Sequence, residues 1–304
     1  MTNIVRAQPE TDLTYRRGVI LVLLAGMAWS TMGLGIRSLE VANVWQILFY
    51  RSLALAPFLF LIMAVRAGGN PLPVIRKAGL AAVVGGMCLV LAFAGGIYAI
   101  QTTTVANAMF LFAASPFIAA ILGRAILAES VRRSTWIAMG IASIGIIIMV
   151  ANGFAIGAVE GNIAALLSAL GFAIFTVSLR WGKLSDMLPA VFLSGIFAAV
   201  TGALVCALAG YGFALPAWDL AIVFTMGVGQ LGLGLTLYTL GSKAVPAVEL
   251  ALLSLVEVAL GPLWVWLVYG ETVSTLTMVG GGVLLAALAG NALTGTKRKP
   301  IPTL

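Results

Sequence analysis

Three ionisable side chains, Arg51, Glu249 and Glu257, lie inside long apolar runs of the chain. A charge at membrane depth costs about 2.5–3.5 kcal/mol on insertion scales, so such a group normally faces a water-filled cavity or a partner. Glu257 stands near the middle of its run, where a carboxyl can carry a proton or hold a substrate ammonium. Glu249 lies closer to one end, within reach of water. The two are eight residues apart, which turns a helix about 80° past two full turns and leaves both on one broad face. Asn107 and Ser115 show the same spacing in an earlier run. All four either line a pathway or hold helices together by hydrogen bonds, and both readings stay open. Arg51, near the start of its run, is expected to pair with a carboxylate or to snorkel to the headgroups, ahead of binding a substrate carboxylate.

Gln230 stands in Gly227-Val228-Gly229-Gln230-Leu231-Gly232. The glycines let helices approach closely and leave room for the amide to enter a cavity. Likeness to a GxGxxG nucleotide loop carries no weight, because no strand precedes it and a phosphate site would fall inside an apolar run. Trp29 is too deep for an interfacial belt, so packing and cavity lining are both open, and Ser30-Thr31 beside it would help hydrate a pore-facing stripe. Tyr98 and Tyr238 lie near run ends, where a belt position is the default, although paired gates at opposite mouths of one cavity also fit. Trp264 and Trp266 point different ways, so at least one packs or faces lipid. There is no histidine, which removes His-ligated metal sites and Ser-His catalysis. Cys88 and Cys206 read as packed thiols. No catalytic group, metal or cofactor is expected, and the chain is not read as an enzyme.

The elements that must position these groups are membrane helices. A soluble domain carries about a quarter charged residues. Here 9% are charged and 62% hydrophobic. Charges, prolines and glycine clusters divide the chain into ten runs at 17–37, 44–66, 78–98, 103–125, 134–151, 161–180, 188–210, 218–240, 245–268 and 274–294, each near the ~20 residues a span needs. The run behind Arg16-Arg17 is too long for a signal-peptide core and reads as an uncleaved first span. The tails, 1–16 and 295–304, are expected to be cytoplasmic, with residues 1–14 disordered. Of the 17 Lys and Arg residues, 15 fall on one side of the spans, Arg37 alone on the other, and Arg51 within the second span. Cytoplasmic loops collect cations, so both termini are expected inside. The net charge of +7 is therefore orientation and headgroup contact, and no contiguous basic face suggests nucleic acid.

An internal repeat runs through the spans. A shift of 143 residues lays Gly18–Arg37 on Gly161–Arg180, with Trp29 on Phe172, and a shift of 142 lays Asn107, Ser115 and Glu129 on Glu249, Glu257 and Glu271. Near 140, Tyr98 falls on Tyr238. Five spans per copy is odd, so the second copy must sit upside down relative to the first. Inverted repeats recur in secondary transporters, with the site at the repeat interface near mid-membrane.

The chain resembles the drug/metabolite transporter superfamily, specifically its ten-span EamA-type members. The resemblance is carried by Phe49-Tyr50-Arg51, Pro116 to Ala128-Glu129, Leu253-Ser254-Leu255-Val256-Glu257 and Tyr269-Gly270-Glu271. One departure is Glu257-Val258 where the family has a Glu-Pro pair, with Pro262 following, so the kink is expected elsewhere. The resemblance implies an all-α membrane protein of ten helices in two inverted five-helix repeats, 17–151 and 161–294. It implies export of small metabolites, neutral or aromatic amino acids first, by alternating access through a central cavity in the inner membrane. Few buried cations favour a neutral zwitterion over a dianion. Spans five and ten, poor in polar groups, are expected to serve as scaffold or as a homo-oligomer contact. A drug or other metabolite permease is the rival reading. An intramembrane enzyme or a non-transporting scaffold stands behind both. The expected partners are a small-molecule substrate and the lipid bilayer.

Overall fold

The structure, a computed structural model, describes residues 9–155, 158–184 and 186–295. Arg6, Lys297, Arg298, Lys299 and the outer parts of both tails lie outside the described residues. Among the described residues, ten helices are long and apolar enough to cross a membrane: Thr14–Arg37, Val44–Ala67, Leu72–Thr102, Val105–Leu127, Arg133–Ala151, Val159–Trp181, Leu188–Leu208, Ala217–Gly241, Leu252–Tyr269 and Thr275–Thr294. Each overlaps an expected run. The fold is all-α, and the protein is a ten-span membrane protein. An even number of spans puts residues 14 and 295 on one side, the terminal face; the opposite side is the far face.

Two boundaries differ from expectation. The first helix begins at Pro9, so part of the stretch expected to be disordered is helical. Proline suits a first turn, whose N–H has no intrahelical partner in any case. The third helix begins at Leu72, but Gly79, at φ 61° and ψ −155°, separates residues 72–78 from 80–102. Glycine takes that conformation without strain. Exposed Arg76 and Lys77 therefore ride on a short surface segment, and the span proper starts where its apolar residues start.

Without a hydrophobic drive between helices in lipid, association depends on close packing of small residues. Gly171 on the sixth span faces the backbone of Cys88 and Ala92 on the third, and Ser168 donates to the Ala92 carbonyl at 2.6 Å. Gly86 on the third span meets Ala190 and Ser194 on the seventh. The second span packs on the seventh and eighth, the first on the eighth and ninth, and the fifth on the tenth through Gly145 and Gly280. Spans one, three, four, six, eight and nine supply most of the residues around the centre, joined by Arg51 of span two, Val191 of span seven and the end of span ten.

Three central spans are irregular at mid-depth. The first breaks at Thr31, between helices Pro9–Ser30 and Met32–Arg37. The fourth breaks between Val105–Phe112 and Ser115–Leu127, where Pro116 supplies no N–H to continue the ladder. The eighth widens to a π-helix over Met226–Leu233, between Ala217–Thr225 and Gly234–Gly241. The ninth runs unbroken over Ala247–Tyr269 with Pro262 inside it. Broken or widened helices free backbone groups, which membrane proteins tolerate where protein or a cavity receives them.

Candidate functional site

The irregular segments surround a cavity of about 540 Å³. Its walls are mostly apolar and aromatic, with Phe93, Phe112, Phe172 and Phe175 among them. Toward the far face the lining ends among buried Ala99, Ile100 and Ala108. Toward the terminal face it reaches exposed Arg132 and half-buried Met187 and Asn291. The cavity therefore communicates with the terminal face and is closed toward the far one.

Six of the polar and aromatic residues singled out from sequence line this cavity: Trp29, Arg51, Ser115, Gln230, Tyr238 and Glu257. Trp29 packs its ring against Tyr238, centroids 5.3 Å apart at 38°. Just before the break after Ser30, the Trp29 carbonyl accepts from Gln230 Nε2 at 3.5 Å. The wide turn around Gln230 brings its amide to that point, and π-bulges recur at functional sites for this reason. Half-buried Glu257 faces the cavity from the ninth span.

Arg51 neither snorkels nor pairs. Its side chain is 1% exposed, and the guanidinium carbon sits 4.8 Å above the centre of the Phe93 ring. The ion pairs present among the described residues are Arg37–Glu271, Arg66–Asp186 and Arg180–Glu129, and Arg51 is in none of them.

Three other residues lie off the cavity. Asn107 is buried toward the far face, where its amide donates to Asn162 Oδ1 and to Thr103 Oγ1, the latter at 3.2 Å. Glu249 accepts a hydrogen bond from the Tyr15 hydroxyl near the terminal face. Tyr98 lies at the protein surface and donates to Glu160 at 2.7 Å. The physical reason is common to the first two: an ~80° offset over eight residues is enough to turn one group into the cavity and its neighbour out of it. Ser30 and Thr31 do not hydrate a stripe either. Both hydroxyls bond back to carbonyls of their own helix, and Ser30 also accepts from the Trp264 indole at 2.9 Å. Trp266 is exposed on the other side of that helix.

Sequence reasoning passed over the four phenylalanines, Ser168 and Ser254. Phe172 carried a usable signal, because it is the repeat equivalent of Trp29. Phe93, Phe112 and Phe175 carry none, since an apolar residue in an apolar run does not reveal whether it faces lipid, protein or cavity, and a serine such as Ser168 or Ser254 can bond to its own helix and so stands out little.

The far face is closed by a compact polar cluster. Arg37 Nε pairs with Glu271 Oε2 at 2.8 Å, and its Nη2 donates to the Thr103 carbonyl at 2.7 Å. The Val105 N–H, at the start of the fourth span, donates to Glu271 Oε1 at 2.7 Å. Spans one, three, four and nine are thus tied at one point. Beside them, Asp219 at 0% exposure accepts from the backbone N–H groups of Glu40, Val41 and Ala42, fixing the first loop to the eighth span. On the terminal face Arg180 pairs with Glu129 at 2.5 Å and donates to the Ala119 carbonyl at 3.0 Å.

Residues 16–151 match the EamA-like transporter family. The pseudopaline exporter CntI of Pseudomonas aeruginosa, from strains UCBPP-PA14 and PAO1 alike, is 26% identical over 295 residues, which cover 93% of this chain and 98% of the relative. A protein of known crystal structure shares the fold, with a TM-score of 0.64 at 18% identity, over 92% of this chain and 99% of the other. With ten apolar spans around one central cavity, these likenesses identify the chain as a membrane transporter whose first half, residues 16–151, is EamA-like.

Proposed function

We propose that the chain exports small amphipathic metabolites, neutral and aromatic amino acids first among them, by alternating access through the central cavity. The observation that carries this reading is the cavity itself: aromatic walls, a few separated polar groups, and access from one face only. Such a surface suits a zwitterion with an apolar side chain. Trp29, Ser115, Gln230, Tyr238 and Glu257 contact the substrate, and Glu257 meets its ammonium or takes up a proton in exchange. The terminal face is the cytoplasm, consistent with its excess of Lys and Arg, and the membrane is the inner one. The outward direction is supported by the name of the Pseudomonas relative, an exporter.

The two halves act as inverted repeats of five spans. Support comes from the crossed ion pairs: Arg37 and Arg180 are 143 residues apart, Glu129 and Glu271 are 142 apart, and each arginine reaches the glutamate of the other half. In this reading Tyr98 belongs to the far half of the route, which is closed here, and Tyr238 to the open half.

Uptake of labelled amino acids into proteoliposomes, with and without a pH gradient, tests the proposal, beside a sample carrying Glu257→Gln. The expected outcome is saturable flux of a neutral amino acid, slowed by about tenfold or more in the variant, which is ~1.4 kcal/mol in the limiting step. A pH-gradient response in the wild type alone would add proton coupling. If no amino acid moves under any condition, the amino-acid assignment is wrong and other metabolites take its place.

A further inference from the structure

Arg51 is almost fully buried, lines the cavity, and leaves its Nε and Nη2 without a hydrogen-bond partner. Those two N–H groups lie in the guanidinium plane, point the same way, and form its side-on fork, the pair of donors that grips a carboxylate with two parallel bonds. Buried donors left unpaired are costly, and each such group in a native structure calls for an explanation. The Phe93 ring, its centre 4.8 Å from the guanidinium carbon, offers a cation–π contact but no conventional hydrogen-bond acceptor. Two more orphans line the same cavity: the Trp29 Nε1 donor and the Gln230 Oε1 acceptor. The unpaired donors thus comprise a fixed cation and an indole, while the acceptors facing the cavity include an amide oxygen and the Glu257 carboxyl.

We infer that Arg51 is the carboxylate-binding residue of this cavity, and that the substrate is a monocarboxylate whose amino group turns to Gln230 and Glu257. The inference deepens the amino-acid reading and rests on it for the amine, but the anion subsite stands on Arg51 alone. The carboxylate takes both fork bonds. Burial and the Phe93 ring beside it restrict the guanidinium, so less side-chain freedom is lost when the ligand arrives. Arg51 is the buried cation among the described lining residues, and Arg132 stands at the exposed mouth, so a second anionic group held deep in the cavity would be buried unpaired. Most of the remaining wall is apolar and takes the side chain.

The test uses the full-length protein in lipid nanodiscs and four probes of one shape: L-phenylalanine, its amide, phenethylamine and 3-phenylpropionate. Binding is read as thermal stabilisation against ligand concentration. Wild type is expected to bind phenylalanine at least about tenfold more tightly than the amide or the amine, and to bind 3-phenylpropionate measurably. Arg51→Gln should bring acid and amide together while leaving phenethylamine within about twofold of wild type. Arg51→Lys keeps the charge without the fork and should fall between the two, and it carries the test if the glutamine variant does not fold. A folded Arg51→Gln protein that retains the acid preference overturns the inference, as does wild type that binds none of the carboxylates. If 3-phenylpropionate binds through Arg51 while no amino acid is transported, the amino-acid proposal falls and the anion subsite remains.

Discussion

Glu249 and Glu257 share one helix, one chemistry and a repeat-related pair of polar equivalents, yet the structure separates them. Glu257 faces the cavity, and Glu249 accepts from Tyr15 near the terminal face. Replacing Glu249 by Gln should therefore change amino-acid flux by no more than about twofold, because the residue lies off the cavity and its hydrogen bond to Tyr15 acts on folding stability rather than on the substrate route. The proteoliposome assay that slows with Glu257→Gln reads this directly, and equal losses from both variants would contradict the separation. The candidate site was legible in the sequence as a set of residue types. Rarity made Arg51, Gln230 and Glu257 visible, since a polar side chain in an apolar run is expensive and needs a reason. What the sequence withheld was direction. An eight-residue spacing does not tell which member of a pair faces inward, and Asn107 and Ser115 are further decoupled by the helix break between them. The sequence left Arg51 between pairing, snorkelling and substrate binding, because a lone arginine in a span gives no sign of whether a carboxylate waits opposite it.

At the scale of the element, the span limits followed from hydropathy and charge, and the irregularities inside them did not. Pro116 could have announced the break in the fourth span. The break at Thr31 and the π-helix at Met226–Leu233 depend on what packs against them. In the π-helix, Gly227 lies against the Arg51 carbonyl and Ala54 Cβ of the second span, so that a methyl group there would overlap both. Gly229, two residues on, has only the Thr225 methyl near it, at 3.9 Å from where its Cβ would sit. Gly227→Ala should push the eighth span off the second and cost about 1–3 kcal/mol, as overpacking does. Gly229→Ala should be neutral, or stabilising by up to ~1 kcal/mol from its reduced unfolded-state entropy. Thermal unfolding of the two variants side by side checks the pair. Gly227→Ala should also weaken ligand binding, because the same backbone contact sets the height of Arg51 in the wall. A melting curve like wild type for Gly227→Ala would mean that the π-helix can absorb the methyl group, and that it does not fix the position of Arg51.

At the scale of the whole molecule, one face is open and the other shut, and the two crossed ion pairs differ accordingly. Arg37 and Glu271, on the closed far face, have side chains 27% and 19% exposed, against 39% and 38% for Arg180 and Glu129. The far pair also holds the Thr103 carbonyl and the Val105 N–H, so parting it undoes four spans together. If the halves exchange roles as inverted repeats do, the far cluster is the latch of the present state and the Arg180–Glu129 pair the latch of the opposite one. Removing one charge from a latch should then shift the balance of states, and each ~1.4 kcal/mol lost changes their ratio about tenfold. Ile100, buried at the closed end of the cavity, reports that balance. In a protein with Cys88 and Cys206 replaced by Ala, an Ile100→Cys thiol should react slowly with an impermeant reagent added at the far face. Glu271→Gln should raise that rate by about fivefold or more, and Glu129→Gln should leave it unchanged or lower it. Exchanging the partners as Arg37→Glu with Glu271→Arg should bring the rate part of the way back, because the ion pair is restored in reverse while the bonds to Thr103 and Val105 are lost. Rates that rise equally with Glu271→Gln and Glu129→Gln would show general loosening, and would break the link between the two latches and the two faces.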